Sequence, residues 1–237
     1  MVTHFFFSHQ VLDLIERNGI DVNQKNSRNQ TVLHAACKSG NLQMISGILS
    51  KVHDNKQFLN AIDYKGNTAL NYLCSASVAS QASANGMLQN ILAEFIRKGA
   101  DPFICNKKGN LVLHKARFFA ANFFLTSIIC FPVNAPNSKN QTPLQYAVRS
   151  NEEQLIELYL TYGADPLRNS NEGNAIYIAT VGKHKHVLEY LQSTITKDLS
   201  SIQFNPQLTY YLWSYIFSFV NDARKQKYKK KKRNIKS

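Results

Sequence analysis

Asn140-Gln-Thr-Pro-Leu-Gln-Tyr-Ala-Val148 is one of five related segments in a chain of 237 residues. The others are Asn29-Gln-Thr-Val-Leu-His-Ala-Ala-Cys37, Gly66-Asn-Thr-Ala-Leu-Asn-Tyr-Leu-Cys74, Gly109-Asn-Leu-Val-Leu-His-Lys-Ala-Arg117 and, with one residue deleted, Gly173-Asn-Ala-Ile-Tyr-Ile-Ala-Thr180. Their anchor positions are Thr31, Thr68, Leu111, Thr142 and Asn174, spaced by 37, 43, 31 and 32 residues. Self-similarity at a period in this range is the signature of a stacked repeat.

A second signature follows the first: Gly19-Ile-Asp-Val-Asn23, Gly99-Ala-Asp-Pro102, Phe131-Pro-Val-Asn134 and Gly163-Ala-Asp-Pro166. Between the two lie apolar pairs, Met44/Ile45 with Ile48/Leu49, Ile91/Leu92 with Phe95/Ile96, Phe124/Leu125 with Ile128/Ile129, and Leu155/Ile156 with Tyr159/Leu160. Offsets of three and four residues mark the buried stripe of a helix. Each unit therefore reads as two short helices. Thr31, Thr68 and Thr142 suit the cap of the first, and Pro143 its first turn. Gly19, Gly99 and Gly163 suit a left-handed stop after the second, and Asp21, Asp101 and Asp165 the turn beyond it. Leu33, Leu70, Leu113 and Leu144 are predicted to point into the stack. Ala36, Ala116, Ala147 and Ala179 are small enough to let a neighbouring helix approach.

Two signatures in register over roughly residues 10–192 make the chain resemble the ankyrin repeat, a unit of about 33 residues with a β-turn and two helices. Thr142-Pro143-Leu144 alone keeps the Thr-Pro-Leu of that motif, so the repeats are degenerate. The resemblance implies an all-α solenoid of helix–turn–helix pairs with β-turn fingers. It contains a half repeat at 1–22 and full repeats at about 27–62, 64–104, 107–136, 138–168 and 170–192. Ser75–Gly86 is an insertion in the second repeat, read as a flexible loop or a frayed helix extension. Val52–Asn60 lengthens the first. The predicted organisation is a repeat domain over 1–192, then a linker and an aromatic amphipathic capping helix over 193–222, then a basic disordered tail over 223–237. The capping helix opens at Asn205-Pro206 and carries Leu208, Tyr211, Leu212, Tyr215, Ile216, Phe219 and Val220 at helical steps.

Composition narrows the function. The chain is 44% hydrophobic with 14 Phe and 11 Tyr, which excludes disorder throughout. The longest apolar stretch, Phe118 to Phe131, is broken by Asn122, Thr126 and Ser127 and is too short to span a bilayer. Nothing resembles a secretory signal, and four scattered cysteines make no disulfide framework. The expected setting is cytoplasmic, with delivery to a host cytosol or nucleus as the alternative. Glycine loops for phosphates, paired-carboxylate motifs and Gly-x-Ser-x-Gly are absent. The seven histidines show no zinc spacing with the cysteines. His34 and His114 fall where ankyrin repeats use histidine structurally. Cys37 and Cys74 share a position at which, by the resemblance, ankyrin repeats favour small residues, and a free cysteine packs as a small hydrophobe. Neither an enzyme nor a bound metal or cofactor is expected.

Charge is the informative feature. The chain carries +13, of which residues 221–237 supply +8, so residues 1–220 carry +5. Ankyrin proteins, by resemblance, bind partners with turn tips and the solvent side of the first helices. In the first four repeats, twenty such positions hold seven basic residues and no acid. Arg28, Lys38, Tyr64, Lys65, Lys107, Lys108, Phe118, Lys139 and Arg149 are the predicted partner-binding residues, forming a basic concave face for an acidic protein partner. A solvated charged face with no ligand is the plain alternative. Phe118 and Phe119 would be apolar anchors, or core in an irregular repeat. Lys229, Lys230, Lys231, Lys232 and Arg233 form a targeting tail whose readings are an import-receptor address, an anionic-lipid contact, nucleic-acid binding or a solvated end. The implied function is a non-enzymatic protein-interaction module, of a kind often directed at host cells by intracellular bacteria and viruses. The alternative is a membrane-associated or nuclear-targeted adaptor acting through the aromatic helix and tail.

Overall fold

A computed structural model describes residues 21–52, 55–76, 82–128 and 130–201. The capping helix and the basic tail lie outside the described residues, as does most of the N-terminal half repeat.

The described chain is helical, with one isolated bridge between Ser170 and Gly173 and no strand. The helices are α1 (Val32–Ser39), α2 (Leu42–Lys51), α3 (Lys56–Leu59), α4 (Ala69–Ser75) and α5 (Ala82–Arg97). A 3-10 turn (Val112–His114) follows, then α6 (Phe118–Ser127), α7 (Pro143–Ser150), α8 (Glu153–Thr161), α9 (Ala175–Gly182) and α10 (Lys185–Ser201). They stack in two layers. α1, α4, the 3-10 turn, α7 and α9 touch in sequence along one layer, and α2, α5, α6 and α8 along the other. Five fingers, one before each element of the first layer, project from its edge.

Local chemistry sets the boundaries. The Thr68 and Thr142 hydroxyls accept from the N–H groups of Asn71 and Gln145, satisfying donors that a helix start leaves free. Asn174 does the same for Tyr177. Gly99 and Gly163 close α5 and α8 with φ of +93° and +79°. The turns beyond them are held by Asp101 and Asp165, which accept from the N–H of Phe103 and Leu167. Leu33, Leu70, Leu113 and Leu144 are buried, as are Ala36, Ala116, Ala147 and Ala179, in one continuous apolar core. Each such leucine contributes roughly 2 kcal/mol in transferred surface.

The structure refines the sequence expectations in two places and departs from them in a third. The lengthened stretch of the first repeat holds a helix of its own, α3, capped by the Asn55 side chain. The insertion is partly helical: α5 begins at Ala82, so residues 82–86 extend the second helix of their repeat. The linker expected from residue 193 is helical through Ser201, because α10 continues the fifth repeat.

The third repeat is the irregular one. A first helix matching α1 would occupy residues 112–119. The buried Ala120 and Ala121 must instead enter the second layer early, so α6 starts at Phe118 and the first element shrinks to the 3-10 turn. Tyr159, wholly buried in α8, donates its hydroxyl to the Leu113 carbonyl at 2.7 Å. Tyr159→Phe, which deletes that bond and leaves a buried carbonyl unpaired, is expected to cost about 1–3 kcal/mol in denaturant unfolding.

Candidate protein-interaction surface

The fingers share one construction. In the first four, an Asx residue five positions before the anchor organises the loop. Asn26, Asp63, Asn106 and Asn137 each accept, through one side-chain oxygen, from the backbone N–H groups two and four residues on. The residue two before the anchor then takes left-handed φ: Asn29, Gly66, Gly109 and Asn140. A Cβ at Gly109 would lie 2.7 Å from the Ser138 backbone nitrogen of the next finger, so that approach requires glycine. The residue between, at the tip, is Arg28, Lys65, Lys108 or Lys139.

Neighbouring fingers are joined at these tips. The N–H of Tyr64 donates to the Arg28 carbonyl (3.1 Å), Lys107 to Lys65 (3.0 Å), Ser138 to Lys108 (3.1 Å) and Asn171 to Lys139 (3.3 Å). Side-chain amides repeat the linkage below, with Asn106 donating to Asn67 and Asn137 to Asn110, each at 2.8 Å. The ladder brings six of the predicted residues, Arg28, Tyr64, Lys65, Lys107, Lys108 and Lys139, into one row, all exposed. Lys65 Nζ sits 5.2 Å from the centre of the Tyr64 ring.

Lys38 and Arg149 are elsewhere, in the last turns of α1 and α7. Phe118 begins a second-layer helix, half-buried and edge-on to Phe119, so it is not on the solvent side of a first helix.

Two carboxylates temper the positive row. Asp63 is buried in the second finger. Burial alone would raise its carboxyl, but hydrogen bonds from the Tyr72 hydroxyl at 2.6 Å and from the Asn67 and Lys65 N–H groups hold it below the usual range. Glu172, at the tip of the fifth finger, bonds Arg149 and lies 3.9 Å from Lys139 Nζ. The Asx pattern was visible in the sequence as an Asn or Asp five before four anchors. Glu172 escapes the spacing because the fifth finger is one residue shorter, which puts its tip two residues before the anchor Asn174 rather than three.

His34, His114 and the buried cysteines Cys37 and Cys74 serve the packing of the stack. His34 Nδ1 accepts from the Thr31 N–H at 3.2 Å, and His114 Nδ1 from the Leu111 N–H at 3.1 Å. Each Nε2–H donates to the next finger, to the Asn67 and Gln141 carbonyls. Burial holds both rings neutral. Burial also pushes the Cys37 and Cys74 thiols up, away from the nucleophilic thiolate. Among the described residues, no three His, Cys, Asp or Glu side chains group so as to hold a metal. No described helix is long and apolar enough to cross a membrane.

A sequence model described as ankyrin repeats (3 copies) matches residues 6–80 and 78–170. The chain belongs to the ankyrin repeat family. Ankyrin repeats generally mediate protein–protein interaction and are usually non-enzymatic. A putative ankyrin repeat protein of fowlpox virus is 29% identical over 117 residues, covering 48% of this chain and 26% of the relative. One from Acanthamoeba polyphaga mimivirus is 22% identical over 174 residues, covering 73% and 17%. A palmitoyltransferase of Kluyveromyces lactis is 25% identical over 170 residues, covering 59% and 22%. The chain thus spans about a quarter or less of these relatives. A chain in the complex of a predatory endopeptidase from Bdellovibrio bacteriovorus with an immunity protein matches with a TM-score of 0.61 at 22% identity. That match covers 78% of this chain and 91% of the other, and is a likeness of fold alone.

Proposed function

We propose that this ankyrin stack is a non-enzymatic binding module that takes an acidic protein partner on its finger row. One observation carries the reading: a single finger position is basic in four successive repeats, at Arg28, Lys65, Lys108 and Lys139, and backbone bonds align those tips. A rigid row of like charge attracts and orients an acidic segment, with little ordering cost to the module. Tyr64 and Lys107 stand in the same row, while Lys38 and Arg149, in the last turns of α1 and α7, add positive charge outside it. The viral relatives support a host-directed role. The activity in the name of the Kluyveromyces lactis relative belongs to a protein of which this chain spans about a fifth.

A second reading rests on the run Lys229–Arg233, five consecutive basic residues that suit an import receptor or anionic lipid. Two variants separate them. Reversing Arg28, Lys65 and Lys108 to Glu is expected to weaken capture of an acidic partner by about tenfold or more. Truncation after Val220 is expected to change mainly its salt dependence. Binding to short poly-glutamate and to phosphatidylserine vesicles, at two salt concentrations, gives the comparison. The opposite order favours the tail, and equally small losses from both variants refute the row.

A further inference from the structure

We infer that Glu172 is an internal competitor for the partner's carboxylates and sets the C-terminal limit of the binding row. The inference rests on the binding reading above. Glu172 occupies the same tip position as the four cations: its N–H donates to Ser170 Oγ two residues back, as the Lys139 N–H does to Asn137 Oδ1. The fifth finger is one residue shorter than the fourth. It closes with the Ser170 N–H on the Gly173 carbonyl, where the fourth closes with Asn137 on Gln141. The bond from Asn171 to the Lys139 carbonyl sets this shortened tip against the fourth finger.

The outcome is a carboxylate between the last cation of the row, Lys139, and Arg149 of α7. Oε1 faces Lys139 Nζ at 3.9 Å and Oε2 bonds Arg149 Nη2. Arg149 also lies 5.9 Å from the centre of the Tyr146 ring, which steadies it there. Among the described residues, Arg28, Lys65, Lys107 and Lys108 form no ion pair. The positive row is therefore open over three fingers and self-occupied at the fourth. The pairs are also displaceable. The side chains of Lys139, Arg149 and Glu172 are 67%, 43% and 41% exposed, and exposed pairs hold only weakly. A partner carboxylate can replace Glu172, at the cost of releasing it.

The test is fluorescence anisotropy with a labelled short poly-glutamate peptide and the full chain. Glu172→Gln is expected to tighten binding by roughly three- to fivefold and to steepen its salt dependence, as two more cations engage. Glu157→Gln, the same charge change on the exposed side of α8, is expected to leave it unchanged. Arg149→Gln alone should have little effect, but combined with Glu172→Gln it should cancel part of the gain, a coupling that bulk charge does not produce. Thermal melting of each variant confirms the fold. Equal tightening by Glu172→Gln and Glu157→Gln, or none from Glu172→Gln, overturns the inference. Lys65→Glu with Lys108→Glu keeps the two failures apart. If that pair weakens binding while Glu172→Gln does nothing, only the competitor role falls. If it leaves binding intact, the binding reading falls with it.

Discussion

Leu144→Asp is expected to unfold the stack from the third repeat onward. Leu144 is fully buried in the first turn of α7, directly after Pro143. The substitution forfeits about 2–3 kcal/mol of apolar burial. It then places a carboxylate where the choice is an unpaired charge or a protonated acid, a further cost of several kcal/mol. Together these approach the whole stability of an ordinary domain, about 5–15 kcal/mol. The damage spreads by contact: α7 packs on the 3-10 turn before it and on α9 after it. A solenoid has no distant contacts to compensate for a lost interface. Circular dichroism melting should show loss of much of the helical signal. Leu144→Ala should keep the fold while costing about 2–5 kcal/mol. A wild-type melting curve for Leu144→Asp would place that residue outside the core and overturn the repeat register.

The register was legible because it is written in residue types with few alternatives. A threonine, a leucine two on and an alanine five on describe a cap, a buried contact and a close approach. The same three roles appear in the structure at Thr68, Leu70 and Leu73, where the larger residue is accommodated, and at Thr142, Leu144 and Ala147. The third repeat was less legible. His114 sits where a first helix should continue, yet the chain leaves it after one turn. The deciding force is the burial of Ala120 and Ala121 in the second layer. Such packing depends on residues far away in sequence, so local periodicity did not reveal it. Nor did the hydroxyl of Tyr159, which reads as one more apolar position until its bond to Leu113 is seen.

Much of the candidate surface could be read as a list of residues, but not as a geometry. Basic character at Arg28, Lys65, Lys108 and Lys139 is plain in the sequence. That these four share one tip position follows from the Asx residues two before them, a spacing that acquires meaning once Asn26, Asp63, Asn106 and Asn137 are seen to organise each loop. The charge sum also misleads in detail. Asp63 cancels charge beneath Lys65, and Glu172 does so between Lys139 and Arg149. Phe118 failed as a first-helix position for the reason that shortened its repeat.

Acidification is expected to destabilise the stack through its histidines, and His114→Gln should remove much of that effect. In His114, Nδ1 accepts the Leu111 N–H and Nε2–H donates to the Gln141 carbonyl. A second proton on the ring would meet a backbone donor. Burial is the main cause of the lowered affinity for that proton, and the bond to Gln141 opposes it without prevailing, leaving a pKa of about 4 against an ordinary 6.5. The unfolded chain therefore binds the proton more readily than the folded one. Stability is full above about 6.5 and falls as pH drops toward 4, by roughly 3 kcal/mol if the whole shift is expressed. His34, lowered for the same reason, adds in the same direction. Gln145 shows that an amide can do the work, since its Oε1 accepts from the Thr142 N–H and its Nε2 donates to the Arg168 carbonyl. Denaturant unfolding at neutral pH should find His114→Gln within about 1 kcal/mol of wild type. Near pH 4 it should retain stability that wild type has lost. An equal loss in both proteins would remove His114 as the cause. Asp63 does not imitate the effect, because its lowered carboxyl loses its stabilising contribution only below the ordinary carboxylate value of 3.8, beneath the window in which the histidines act.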